Sequence, residues 1–198
     1  DTAAKIVDSS GGSLASTSSD LTVSTAGPTV SSVSSTSVDA TYGIGDVIPI
    51  EIKFSEPVNV LGAPVLNLET GATDATATYA SGSGTDTLTF NYTVASGHVS
   101  SNLDFKATTS LALPTGTGST IRNLVNSNAD LTLVTPGAEF SIGDNQTIVI
   151  DGVRPAFSDY TANAGTTTVT LAMSEAVSGT PDGADFTVTN AAGATNTV

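Results

Sequence analysis

The sequence predicts an all-β fold, a sandwich of two stacked sheets. Three observations carry that expectation. Apolar residues alternate with polar ones along short runs, clusters of Gly, Ser, Pro and Asn separate the runs, and apolar residues nowhere recur at helical spacing beyond a turn or two. Thr, Ser and Val favour extended backbone, through branching at Cβ or through side-chain hydrogen bonds that compete with a helix. Many short strands at close spacing fit two packed sheets.

The first clear strand is Val47 to Phe54, where Ile48, Ile50, Ile52 and Phe54 share one face and Val47, Pro49, Glu51 and Lys53 the other. Ser55-Glu56-Pro57 then reads as an acidic corner. Pro64 to Leu68 and Ala75 to Ala80 are the next candidates, followed by Ser81-Gly-Ser-Gly84 as a hairpin turn. In Thr87 to Val94, Leu88, Phe90, Tyr92 and Val94 point one way and Thr87, Thr89, Asn91 and Thr93 face solvent. Leu103 with Phe105, Leu111 with Leu113, Leu131 with Leu133, and Thr147 to Asp151 complete the series.

Two landmarks recur in the same order. Leu21 to Pro28 matches Ile148 to Pro155 at an offset of 155 − 28 = 127, and the strand with its Ser-Glu corner, Ile48 to Val58, matches Thr166 to Val177 at 175 − 56 = 119. Recurrence of this kind marks a tandem array. The expected organisation is residues 1–27 as the tail of a preceding unit or an extended arm, residues 28–152 as a complete sandwich, and residues 153–198 as the opening of a further one. Half a sandwich exposes apolar sheet and unpaired edges, so truncation of a longer chain, or strands supplied by another chain, is expected there.

The bulk composition excludes several functions. In 198 residues, 38% hydrophobic content is enough for a core, which must be aliphatic because aromatics are 5% and Trp is absent. Nineteen acidic against 5 basic residues give a net charge of −14. Lys5, Lys53, Lys106, Arg122 and Arg154 are scattered singly, so nucleic acid is excluded as a partner and cations are the natural companions. Without cysteine there is no disulfide, thiolate metal site or cysteine nucleophile. No segment is long and apolar enough for a transmembrane helix, and Asp1 opens the chain as a processed or excised piece would.

The segments Thr41-Tyr-Gly-Ile-Gly-Asp46, Phe54-Ser-Glu-Pro-Val58, Tyr79 to Phe90, Asn91-Tyr-Thr-Val94, Ser101-Asn-Leu-Asp-Phe105 and Ile148-Val-Ile-Asp-Gly152 closely resemble an immunoglobulin-like repeat of very long secreted proteins of bacteria and archaea. The resemblance covers roughly residues 28–155 and rests most on the "FSEPV" and "IVIDG" pieces. One local departure is Asn126-Ser-Asn-Ala129, where such repeats usually carry a Gly-Asn turn. The resemblance implies immunoglobulin-like sandwiches in tandem and a structural, extracellular role, in a surface-layer protein or an adhesin.

No catalytic constellation is legible. His98 is the single histidine, in a turn-like Ser96-Gly-His-Val-Ser100, and no orienting partner or nucleophile is proposed by the sequence. The chain is therefore read as no enzyme. Ser81 to Leu88 nearly spells a calcium nonapeptide, but a calcium roll needs stacked copies and the hairpin turn is the simpler reading. A structural Ca²⁺ site between units, with Asp46, Glu56, Asp144 and Asp151 converging at one pole, is the stronger chemical expectation, since Ca²⁺ takes about six to eight oxygens. Glu175 corresponds to Glu56, so such a site would repeat. Asn91-Tyr-Thr93 and Asn145-Gln-Thr147 are N-glycosylation sequons.

Three functions compete. A lattice or stalk element of the cell envelope would use short linkers, Gly152 to Pro155, to hold copies of the same surface protein in line. An adhesin module would bind cell-surface glycans, for which Tyr42 and Tyr160, in loop-like contexts, are the candidate stacking platforms. A filament subunit would donate residues 1–27 as a strand to its neighbour.

Overall fold

A computed structural model describes residues 26–162, 169–177, 187–189 and 195–197; residues 1–25 of the expected tail or arm lie outside them. In chain order the elements are β1 (Val30–Ser35), β2 (Ala40–Gly43), β3 (Val47–Leu61), β4 (Val65–Glu69), β5 (Ala75–Ser81), β6 (Thr85–Thr93), β7 (Val99–Ser100), β8 (Asp104–Phe105), β9 (Leu111–Ala112), β10 (Thr120–Asn123), α1 (Ile142–Asn145), β11 (Ile148–Asp151), β12 (Phe157–Ala162), β13 (Val169–Met173), β14 (Thr187–Thr189) and β15 (Thr195–Thr197).

The fold is all-β. The larger sheet runs β1-β3-β6-β5-β4-β8, with β10 beside β3 and β9 beside β4; the smaller runs β2-β11-β7. Among the described strands, pairing is antiparallel except between β2 and β11. Val33, Ile50, Leu88 and Phe90 from the larger sheet share one core with Ile148 and Ile150 from the smaller, which makes the two sheets a sandwich.

β3 shows why the alternation is informative. Ile48, Ile50, Ile52 and Phe54 are all buried while Lys53 and Ser55 are exposed. Pro49 lies one position beyond the last β1 pair, Ser35 with Ile50, and Ser35 Oγ donates to its carbonyl. The expected corner at Ser55-Glu56 is not a corner: β3 continues to Leu61. An irregularity in the pairing with β6 between Lys53 and Val58 takes up the bend, and beyond it β10 replaces β1 along that edge, from Val58 with Asn123 to Leu61 with Thr120. Parity survives, because Val58 is again buried.

The Ser81 to Gly84 stretch is the β5–β6 turn, as read from the sequence. Gly82 takes a φ of 106°, and a Cβ there would stand 2.1 Å from the Thr87 carbonyl oxygen, so only glycine closes it. Leu131 and Leu133 form no strand. Their neighbourhood bonds elsewhere, with Leu133 N donating to Thr108 O and Thr132 N to the Asp130 carboxylate, although Leu133 itself is buried. α1 is one turn, started by Ser141 Oγ accepting from Asp144 N.

One geometry occurs twice. β1 pairs with β3 as Val30–Phe54, Ser32–Lys53, Val33–Ile52, Ser34–Glu51 and Ser35–Ile50. β12 pairs with β13 as Phe157–Met173, Asp159–Ala172, Tyr160–Leu171, Thr161–Thr170 and Ala162–Val169. Each pair is the earlier one displaced by the offsets 127 and 119 found in the sequence, and the irregularity falls after the first pair in both. The flanking bonds recur too: Thr29 N donates to Ser55 Oγ (3.0 Å) and Ser55 N to Thr29 O (2.8 Å), as Ala156 N does to Ser174 Oγ (2.8 Å) and Ser174 N to Ala156 O (2.7 Å).

Candidate functional site

The four carboxylates expected at one pole do not come together. Asp46 and Asp151 share one end: Asp46 Oδ2 accepts from Gly43 N at 2.8 Å, and Gly43 is the register partner of Asp151 across the β2–β11 ladder. Asp151 Oδ1 accepts from Val153 N at 3.1 Å. Glu56 lies about 30 Å of strand further along β3 than Val47, by the rise of an extended chain. Asp144 sits in α1, ahead of β11, whereas Asp151 ends that strand. The convergence fails because three of these residues stop strands or start turns at different places, and each loop then uses its own carboxylate or amide groups locally. Among the described residues no group of three His, Cys, Asp or Glu side chains is placed to hold a metal ion.

Glu56 instead belongs to a polar knot that the sequence did not announce. Its inward parity places it between Phe54 and Val58, and its Oε1 accepts from Asn123 Nδ2 at 3.1 Å. Asn123 is buried, and its Oδ1 accepts from Val125 N and Ser127 N, closing the turn in which Asn126 takes a φ of 73°. Asn tolerates that left-handed conformation, which explains how the Asn126-Ser-Asn segment turns without glycine. The available signal was parity: Ile121 and Asn123 share a face. Asp104 is a second knot, buried between Leu103 and Phe105, with Oδ1 accepting from Phe105 N and Oδ2 from Gly137 N. It borders a cleft with Glu69, Asn102 and Lys106. Lys106 is ion-paired with Asp74, and that hydrogen bond and charge hold its ammonium pKa above the usual value.

His98 has a structural partner set. Ala95 N donates to its Nδ1 at 3.2 Å, and the Tyr92 hydroxyl lies within hydrogen-bonding distance of the same nitrogen, at 3.0 Å. Burial pushes the Tyr92 phenol up to about 12. The same turn grips the chain leaving β11: Gly152 N donates to His98 O at 2.7 Å and Gly97 N to Gly152 O at 2.9 Å. A Cβ on Gly152 would stand 2.3 Å from Ala95 O and 2.6 Å from His98 O, so the linker begins pinned.

The remaining candidates are placed as follows. Asn91 is on the exposed face of β6 between Pro49 and Thr78. Asn145 is in α1, its Nδ2 donating to Val33 O (3.2 Å) and Ser141 O (2.8 Å), so a glycan on that nitrogen would displace one of the two bonds. Tyr42 is in β2 rather than a loop; it packs half-buried against the core, and its hydroxyl donates to Val38 O. Tyr160 is in β12, exposed and stacked on Phe157. No helix among the described residues is long and apolar enough to cross a membrane.

Fold and polar groups together define an all-β sandwich domain whose buried polar side chains tie turns and strand ends. Compared with known protein families, curated proteins and solved structures, the chain matches none of them.

Proposed function

We propose that this chain is a structural segment of a secreted cell-envelope protein, made of immunoglobulin-like sandwiches in tandem and serving as a surface-layer or stalk element. The observation that carries the reading is the register of β1 on β3, reproduced pair for pair by β12 on β13 at the sequence offsets. A protein that repeats a scaffold geometry so closely, with its polar side chains occupied in holding turns, is suited to spacing and load rather than turnover. The opening strands support the immunoglobulin-like description: β1 joins the larger sheet and β2 the smaller, with β2 parallel to the last strand of the sandwich, β11.

The linker supports stiffness. Gly152 is bonded on both sides to the His98 turn and Val153 N donates to the Asp151 carboxylate, so the linker starts tied to the sandwich. The excess of 19 acidic over 5 basic residues would gather cations as a diffuse atmosphere, without a selective site. Antibodies raised against the 198-residue chain are expected to label intact cells of the producing organism. Labelling that appears only after lysis overturns the extracellular assignment.

A further inference from the structure

The chain leaves the sandwich through a clasp built on one turn. Gly152 N donates to His98 O at 2.7 Å and Gly97 N to Gly152 O at 2.9 Å, and the turn itself is closed by His98 N donating to Ala95 O at 3.2 Å. A Cβ on Gly152 would stand 2.3 Å from Ala95 O and 2.6 Å from His98 O, so Gly152 is seated against both ends of the turn.

The single histidine of the chain ends this turn. Its Nδ1 meets two groups of different kinds, Ala95 N at 3.2 Å and the Tyr92 hydroxyl at 3.0 Å, and its ring stacks on that of Tyr92 with centroids 5.7 Å apart. An amide N–H can only donate, whereas a phenol hydroxyl both donates and accepts. Imidazolium carries hydrogen on both ring nitrogens, so a charged His98 has no lone pair for Ala95 N but can donate to the Tyr92 oxygen. Tyr92 stays a neutral hydroxyl while histidine titrates, since burial pushes its pKa up to about 12. The ring therefore has two partners suited to opposite protonation states: neutral, it holds the Ala95 end of the turn; charged, it keeps Tyr92 alone.

The other titratable groups on the surrounding elements are engaged elsewhere. Asp46, ahead of β3, accepts from Gly43 N; Glu69, ending β4, accepts from Gly71 N; Asp151, ending β11 opposite Val99, accepts from Val153 N. Arg154 follows in the linker. Histidine ordinarily titrates at about pH 6.5, roughly two units above aspartate and glutamate, which sets its transition apart from theirs.

We propose that His98 makes this clasp a pH-sensitive switch, closed while the imidazole is neutral and opened by its protonation, which releases Ala95 N and with it the hold of the turn on Gly152. The linker is then tied to the sandwich near neutral pH and untied in mildly acidic surroundings. The proposal rests on reading Gly152 to Pro155 as a linker between units of an extracellular protein.

The test follows the ¹⁵N-labelled 198-residue chain by NMR. Between about pH 7.5 and about pH 5 it reads the His98 ring titration and, corrected for the intrinsic pH dependence of exchange, the protection of the Ala95, Gly97 and Gly152 amides. Protection of these three is expected to fall at least about tenfold with the midpoint of the ring, while the Ile50 and Leu88 amides keep theirs. His98→Gln, which cannot be charged, should show no such fall. Should that variant not fold, coincidence of the ring and amide midpoints in the unaltered chain decides alone. Protection that stays flat while the ring titrates, or a ring that does not titrate in this range, overturns the proposal. A fall that persists in His98→Gln overturns it in favour of a carboxylate such as Asp151. The amide readout does not depend on where the protein resides: labelling of cells only after lysis removes the extracellular assignment and leaves the switch, whereas flat protection removes the switch and leaves the assignment.

Discussion

Asn123 concentrates more structural duty than any other polar side chain on β10. It is buried, it satisfies two backbone N–H groups of its own turn, and it neutralises part of the cost of placing Glu56 at an inward position. Asn123→Ala leaves those groups without partners and is expected to cost about 2–4 kcal/mol, read as a lowered urea midpoint at unchanged slope. Gly152→Ala forces a methyl against the Ala95 and His98 carbonyls, with an expected loss of about 1–3 kcal/mol and faster exchange of the Gly97 amide. Tyr92 sets a pH dependence. Its folded pKa of about 12 exceeds the 10.0 of a free phenol, so the neutral form is favoured in the folded state. The contribution is whole below about pH 10 and is lost as the pH climbs through about 12. Thermal melts across that range should show an alkaline fall that is flatter in Tyr92→Phe.

At the scale of elements, the two hairpins of matching register form a controlled comparison. Ile52 and Leu171 occupy matching register positions, one fully buried and the other 40% exposed. Ile52→Ala is expected to cost about 2–5 kcal/mol because it opens a cavity in a closed core, whereas Leu171→Ala should change the melting of the sandwich by less than about 0.5 kcal/mol. Comparable losses at both positions would mean that the β12–β13 face is already covered. The long strands β3, β5 and β6 were legible because period-two alternation is imposed by the pleat itself. β1 and β2 were not, since Ser- and Thr-rich runs such as Ser31 to Thr36 carry little apolar signal and become strands through their partners. Leu131 and Leu133 erred the other way, alternating like a strand while their backbone bonds to loops.

For the whole molecule, the net charge of −14 dominates the response to solution conditions. Like charges at this density repel in the compact state, so added salt should raise the melting temperature by screening. Because the described carboxylates form no three-ligand cluster, NaCl and CaCl₂ at matched ionic strength should give the same increase, followed by calorimetry. A rise specific to CaCl₂, reversed by a chelator, would establish a calcium site and restore the sequence-based expectation for Asp46 and its companions.

The sequence by itself determined the class of fold, the inward and outward faces of the main strands, the β5–β6 turn, and the two offsets that the hairpin registers reproduce. These follow from chemistry within a few residues: alternation across a pleat, and the conformations that glycine alone adopts. Only the tertiary structure decided that Glu56 meets Asn123, that Asp46 and Asp151 part from Glu56 and Asp144, and that the His98 turn holds Gly152. Such meetings depend on which strands become neighbours and how loops return between them, and distant pairing of that kind leaves no periodic trace in the chain.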